Sequence, residues 1–355
     1  MLDGSSCVAA EDTCVVSPAH CAELTNPATP LITVLCGGLG GARLALVLQV
    51  AGLDRQCCFI TNVADDCEFG GVLVCPDTDA VVYALGGLFD EERGWGIRGD
   101  IFPGPEDAAE GWFHVGRRDL ELQRVRQRLL ASGLTLTRAT ACSSRRLGVQ
   151  ARVLPASNDR LRTHVHTSEG VFAWQQWLVR DAAQPRVCAV EYRGLECARA
   201  TADTLTALRD ARLLVIAASS PVASIAPILA LPGVKAAIRA RRNPTVALSP
   251  VVRRRPILCE RDWRRAAARA ALLAAAGVEH DPIAIARHYG DLVDAYILDD
   301  ADRADAEAIA RLGIQPLIAP TIDLSRGARL VAGLLTLIPR DAATDVTSPE
   351  LGITH

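Results

Sequence analysis

Leu31 to Cys36 reads LITVLC, a nearly unbroken apolar run, and four of the next five residues are glycine. A strand without polar alternation is buried on both faces, as in parallel sheets that carry helices on each side. Ala42 to Ala51 then reads as a helix. Strand, glycine turn and helix in that order make an α/β fold the expectation. The same layout aims backbone N–H groups and a helix N-terminus at a phosphate. Gly37, Gly38, Gly40 and Gly41 are therefore candidate phosphate contacts. Their spacing matches neither GxGxxG nor the P-loop, and a tight turn without a ligand is the alternative.

One strand later comes ITNVADDCEFGGVLVCPDTDA, residues 60–80. The run CCFI leads in as a second buried strand, and Asn62, Asp65 and Asp66 arrive where it should end. A glycine turn and the run VLVC follow, then Asp77 and Asp79. If the chain turns back here, four aspartates meet. Crowded carboxylates raise each other's pKa unless a cation sits among them. Hard oxygen ligands suit Mg²⁺ or Ca²⁺, and Mg²⁺ usually brings a phosphorylated substrate. Turn formation and helix capping are the plainer uses of Asp.

The 355 residues suffice for one large domain with an insertion, or for two domains. A net charge of -3 gives no sign of a nucleic-acid-binding surface. No apolar run reaches the roughly 20 residues of a membrane helix. Asp3 and Glu11 stand near the N-terminus without a basic region and apolar core behind it. A cytoplasmic protein with neither nucleic-acid nor membrane partners is expected. The 12 cysteines form no CxxC pair, so reduced thiols are expected. Cys36, Cys58, Cys75 and Cys188 lie in apolar runs, where a free cysteine acts as a small buried hydrophobe.

Residues 1–30 lack clear periodicity and read as a flexible extension; 341–355 read as a polar tail. The segment DEERGWGIRGDIF sets Arg93 and Trp95 among glycines, as in a substrate lid or an ordinary surface loop. Asp119 stands near the start of a helix, where it complements the helix dipole. From Thr135 to Val179 the texture alternates, which suggests short strands or an inserted subdomain, placed at 111–184. His164 and His166 fall on one face of a strand there, without a third local metal ligand. The α/β rhythm returns at Val187, so 31–110 and 185–340 read as one core. Ser219 and Ser220 follow a strand at the start of a helix, as a second anion site or as caps. Ser249 ends another strand and joins the candidate binding residues. Arg253, Arg254 and Arg255 follow it, at a ligand-binding strand end or in a solvated basic turn.

Taken in order, these segments resemble the 2-phospho-L-lactate transferase family of deazaflavin coenzyme F-420 biosynthesis. The resemblance runs from about Leu31 to Pro320. It rests on GGLGGAR at 37–43, NVADD at 62–66, PDTDAVVYALGG at 76–87, DEERGWG at 90–96, RDL at 118–120, SNDR at 157–160, SSPVASIAPILALPG at 219–233 and LSPVV at 248–252. It implies a Rossmann-like, mostly parallel sheet with helices on both faces, an inserted smaller α+β subdomain, and a homodimer. The implied reaction is Mg²⁺-dependent transfer of a phospho-acyl group from a guanosine diphospho-acid to the ribityl hydroxyl of the deazaflavin Fo, with GMP released. That is phosphotransfer of a substituted phosphate group. The acid is lactyl, enolpyruvyl or glyceryl in different members. The family's metal-binding aspartates match Asp66 and Asp79. Asp65, Asp66 or Asp77 would take the hydroxyl's proton, and Asn62, Arg93, Ser219, Ser220 and Ser249 join the glycines as substrate contacts.

The chain departs from the family pattern in places. Glu68 stands for a tryptophan, Gly70 for a histidine, Leu73 for an arginine, Gln123 for a histidine and Ser220 for an asparagine. Arg253 and Arg254 stand for a glycine pair. A diverged transferase with another donor or acceptor is the enzymatic alternative, and a nucleotide- or sugar-binding regulator the non-enzymatic one.

Overall fold

The computed structural model describes residues 29–102, 112–321 and 327–339. The expected polar tail, and the expected extension except for residues 29 and 30, lie outside the described residues. The strands are β1 (Ile32–Cys36), β2 (Cys57–Thr61), β3 (Cys67–Phe69), β4 (Val72–Val74), β5 (Arg152–Pro155), β6 (Arg162–Thr167), β7 (Gly170–Ala173), β8 (Val187–Arg193), β9 (Leu213–Ile216), β10 (Thr245–Leu248), β11 (Ala295–Leu298) and β12 (Gln315–Ile318). Seven of them form one parallel sheet in the order β12-β11-β10-β9-β1-β2-β5.

Every residue of β1, β2, β9, β10 and β11 is buried. Side chains alternate between two cores. Ile32, Val34, Phe59, Val215 and Ile297 face one of them, while Leu35, Ile60, Ile216 and Leu298 face the other. Helices α1 (Gly38–Val50) and α2 (Pro76–Leu85) cover the first face. They are followed by α3 (Arg117–Ala131), α4 (Leu136–Arg146), α5 (Ala202–Asp210), α6 (Ala226–Ala230), α7 (Val234–Arg239), α8 (Glu260–Ala275), α9 (Pro282–Tyr289), α10 (Ala306–Ala310) and α11 (Gly327–Thr336). Of these, α5, α7, α8 and α9 pack on the second face and α11 on the first. No helix among the described residues is long and apolar enough to cross a membrane.

The Rossmann-like expectation holds, but sheet membership does not follow the boundaries read from sequence. β5, inside 111–184, is the outer strand beside β2 in the parallel sheet. β8, placed with the α/β rhythm, instead pairs antiparallel with β6, and β7-β6-β8 form a separate three-stranded sheet. An edge strand of a small sheet has one solvated face. Cys188 is accordingly exposed rather than buried, whereas Cys36, Cys58 and Cys75 are buried free thiols. Cys142 is disulfide-bonded, so thiols are not reduced throughout.

The acidic stretch does turn back. β3 and β4 pair as a hairpin joined by Gly70 and Gly71, both at positive φ. Two-residue hairpins favour such residues because the turn's twist then matches that of the strands. The reversal sets the start of α2 beside the end of β2.

The chain's closest backbone approach near this region is at Gly40. A Cβ there would stand 2.3 Å from the Ala218 carbonyl oxygen after β9. Gly40→Ala should destabilise the protein by about 1–3 kcal/mol, read as a lower urea midpoint with an unchanged slope. An unaltered midpoint would show that the β1 and β9 ends separate freely.

Candidate active site

Between β1 and β9 the strand order reverses: the chain first builds outward through β2 and β5, then returns to the other side of β1. In open α/β sheets ligands bind beyond the carboxyl ends of the strands at such a point. A cavity of about 450 Å³ opens there, lined by Gly37, Gly38 and Gly40 after β1 and by Ala218, Ser219 and Ser220 after β9. Ser219 ties the two strand ends together. Its hydroxyl donates to the Gly37 carbonyl at 2.7 Å and accepts the Gly37 N–H at 3.0 Å. Ser220 caps the next helical turn by accepting the Ala223 N–H at 3.1 Å.

The glycine turn already holds an anion, and it is the protein's own. Asp77 at the start of α2 accepts hydrogen bonds from the Gly38 N–H and the Ser224 hydroxyl, and from Asn62 Nδ2 at 3.0 Å. A Cβ on Gly37 would stand 2.2 Å from its Oδ2. Burial still pushes Asp77 up to about 6.

Asp65 and Asp66 are satisfied less well. Each has a buried Oδ1 without a hydrogen-bond partner. Burial and then the charge of Asp77 raise Asp65 well above the usual carboxylate range. Burial pushes Asp66 up to about 8, against the pull of Arg162.

Asp79 has the opposite environment. Arg126 of α3 grips both its oxygens, through Nη2 to Oδ1 and through Nη1 to Oδ2 at 3.2 Å. Gln123 Nε2 and the Cys75 N–H reach the same Oδ2 at 2.8 and 3.3 Å. Gln123 and the Tyr83 hydroxyl each donate to Asp119 Oδ1 at 2.7 Å. Burial and then the charge of Asp79 push Asp119 up to about 6. These five side chains form one buried network whose Asp79, Tyr83, Asp119 and Gln123 line the cavity.

The carboxylates therefore fit a hard cation unevenly. Orphaned, buried oxygens on Asp65 and Asp66 are suited to one, whereas the oxygens of Asp79 are occupied by a guanidinium. Among the described residues no group of three or more His, Cys, Asp or Glu side chains forms a ligand set. Mg²⁺ asks for less than that, since it commonly takes one or two carboxylates and completes its shell with water and substrate phosphate.

A cationic surface belongs to the same cavity. Arg43 of α1 and Arg265 and Arg269 of α8 all line it. Arg265 donates to the carbonyls of Arg93 and Gly94 at 3.1 and 3.4 Å, yet its Nη1 is buried without a hydrogen bond. Burial, then Arg265 and Arg43, lower Arg269 to about 10. Guanidiniums packed so that they weaken one another's protonation call for an anionic ligand. Nothing in the sequence reading singled them out. The usable signal was the four-residue spacing of Arg265 and Arg269 on the α8 face that buries Ala268 and Leu272.

Other expected residues have structural partners. Gly41 packs against Cys36 and Val81, where a Cβ would meet Cys36 Cβ at 2.8 Å. Ser249 is fully buried, and its hydroxyl donates to the Val251 carbonyl at 2.7 Å. Arg93 lies over the Trp95 and Phe102 rings beside Asp90, and its neighbours Gly94, Trp95 and Gly96 line the cavity. Arg253 and Arg254 are consumed by Asp281, Asp302 and Asp305. His166 pairs with Glu191 at 2.8 Å.

The family model described as 2-phospho-L-lactate transferase CofD matches residues 32–323. A phosphoenolpyruvate transferase of Mycobacterium avium (strain 104) is 36% identical over 314 residues, covering 79% of this chain and 91% of the relative. One from Mycobacterium tuberculosis (strain ATCC 25618 / H37Rv) is 34% identical over 307 residues, covering 78% and 90%. Two crystal structures of one Bacillus halodurans protein, described in one case as a member of the upf0052 family, share the fold. Their TM-scores are 0.58 and 0.52 at 19% and 18% identity, with 86% and 82% of this chain covered and 98% and 93% of theirs.

Two substitutions test the electrostatics. Asp66→Asn removes a buried ionisable group that lacks a full set of donors, so in EDTA it should stabilise the protein by on the order of 1–3 kcal/mol, seen as a raised Tm. An unchanged or lower Tm would mean that the carboxylate is compensated. Arg126→Ala strands Asp79, and denaturant unfolding should show a loss of about 3–5 kcal/mol; a loss below about 1 kcal/mol, the scale of an exposed pair, would count against the network.

Proposed function

Because the chain belongs to the 2-phospho-L-lactate transferase CofD family, we propose that it transfers a phospho-acyl group from a guanosine diphospho-acid to the ribityl hydroxyl of Fo, releasing GMP in coenzyme F-420 biosynthesis. The observation that carries this reading is the meeting of guanidiniums and an under-satisfied carboxylate, Asp65, in one cavity at the switch point. A diphosphate needs the first, and a hydroxyl nucleophile benefits from the second. Phosphoryl transfer asks chiefly for alignment and for stabilisation of spreading charge.

Arg43, Arg265 and Arg269 hold the donor's diphosphate and take up the charge that develops on departing GMP. Ser219 and Ser220 border the same path from the β9 side. Asp77 keeps the glycine turn in shape through Gly38 and Asn62. Asp65, which lines the cavity and has a buried oxygen without a hydrogen-bond partner, accepts the hydrogen bond of the attacking hydroxyl and orients it. Asp65 and Asp66 would hold Mg²⁺, which supplies charge neutralisation at the phosphate oxygens. Asp79 acts from behind, by fixing Arg126 and Gln123. The names of the mycobacterial relatives favour the enolpyruvyl donor.

The direct test is mass spectrometry of Fo incubated with the protein, Mg²⁺ and each of the three guanosine diphospho-acids. The enolpyruvyl mixture should yield product and GMP, and EDTA should stop both. Folded protein that makes no product from any of the three donors refutes the proposal. Arg269→Ala should raise the donor KM about tenfold or more, as expected for a lost charge-assisted hydrogen bond, with the Fo KM unchanged. An unaltered donor KM would remove Arg269 from the diphosphate site.

A further inference from the structure

After β9 the chain passes Ser219 and Ser220, makes one turn over Pro221–Ile225, and meets Pro227 at the second position of α6. That turn is wound as a π turn. The Ile225 N–H donates to the Ser220 carbonyl at 3.0 Å, and the Ala226 N–H to the Pro221 carbonyl, each five residues back. Pro227 supplies a cause. A proline ring clashes with the carbonyl four residues before it and brings no N–H. The carbonyl four before is that of Ala223, and the one five before is that of Val222, so residue 227 withholds a donor from both. All five residues of the turn are buried, where an unserved carbonyl has no water to turn to. Both carbonyls are served from outside the helix. Asn62 Nδ2 donates to that of Ala223 at 3.3 Å. The Tyr192 hydroxyl, on β8 of the small sheet, donates to that of Val222 at 2.6 Å.

The turn touches the reacting groups. Ser220, Ala223 and Ser224 line the cavity, and the Ser224 hydroxyl donates to Asp77. Asn62 donates to Asp77 at 3.0 Å and accepts the Ala64 N–H at 2.9 Å, next to Asp65. Tyr192 itself does not line the cavity. We propose that Tyr192 is a positioning residue for the transfer: its hydroxyl supplies the donor that Pro227 withholds, and so holds the turn where Ala223 and Ser224 fix Asn62 and Asp77 and, through Asn62, the segment carrying Asp65. The assignment rests on the transferase reading and adds to it a side chain that acts on the attacking end from a distance. It accords with the frequent use of π turns at functional sites.

Tyr192→Phe keeps the ring and removes the donor. In turnover with Fo, Mg²⁺ and the guanosine diphospho-acid, kcat should fall about tenfold or more, the scale of a small misplacement of reacting groups. The KM for Fo and the KM for the donor should change little. Pro227→Ala returns an N–H to the position that lacks one, and a carbonyl's two lone pairs let it accept from there as well as from Tyr192 or Asn62. The double variant, Tyr192→Phe with Pro227→Ala, should therefore regain most of the lost kcat, a rescue that a general loss of packing would not show. Amide hydrogen exchange over residues 220–230, read by mass spectrometry, should quicken in Tyr192→Phe and slow again in the double variant, while the remaining peptides report a folded chain. Wild-type kcat in Tyr192→Phe, or a double variant no faster than Tyr192→Phe, overturns the positioning role and leaves the transferase reading standing. A fall in kcat with unchanged exchange at the turn also overturns it, by placing the effect elsewhere. Wild-type protein that turns over none of the three donors overturns both the transferase reading and the role assigned to Tyr192.

Discussion

Burying Asp65, Asp66, Asp77 and Asp79 in one strand–hairpin–helix segment is energetically costly, and the surrounding structure is shaped by it. An ionised carboxylate removed from water must find donors or a counter-charge. Asp77 finds them in the Gly38 N–H, Asn62 and Ser224, and Asp79 in Arg126 and Gln123. Those partners come from four separate parts of the chain, so satisfying two carboxylates also fixes where β1, α3 and the segment after β9 must lie. Asp65 and Asp66 are left with free oxygens. The protein's own cations and donors thus serve two of the four carboxylates and leave the other two under-satisfied.

The sheet then keeps opposite charges apart at short range. Strands that diverge at the switch point carry carboxylates after β2 and at the start of α2, and guanidiniums on α1 and α8. Had Arg43, Arg265 and Arg269 reached Asp65 and Asp66, internal ion pairs would have cancelled both patches of charge. Ser219, bonded twice to Gly37, holds the two strand ends in register without adding charge.

Much of this was readable from the residues, in proportion to how local the cause was. The unbroken run at β1 and the Gly70–Gly71 reversal act within a few positions, and both predicted structure that is present. Asp65, Asp66, Asp77 and Asp79 were collected correctly as neighbours in space. Their partners were not, because Arg126 and Gln123 come from α3, more than forty residues further on. Arg269 was lost within an alanine-rich helix whose pattern reports burial and not direction. β8 departs from the expectation because an apolar-looking run of this length does not say which sheet it will join; β6 and β5 both lie inside 111–184, yet β6 pairs with β8 and β5 joins the parallel sheet. Gly41 and Ser249 show the converse error, in which a residue type suited to ligand contact is used for close packing and a turn.

The three-stranded sheet has a consequence for how such a chain can diverge. Trp174 and Gln175 follow β7 directly and line the cavity, while the glycine turn, Ser219 and the α8 arginines hang from the parallel sheet. One wall of the cavity is thus supplied beside a sheet whose strands pair with one another and whose β6 is tied to the end of β2 by the Thr163 N–H on the Ala64 carbonyl at 2.7 Å. Substitutions beside that sheet can reshape one wall of the cavity while the glycine turn and the α8 arginines keep their own supports, so the two walls can vary in separate small steps.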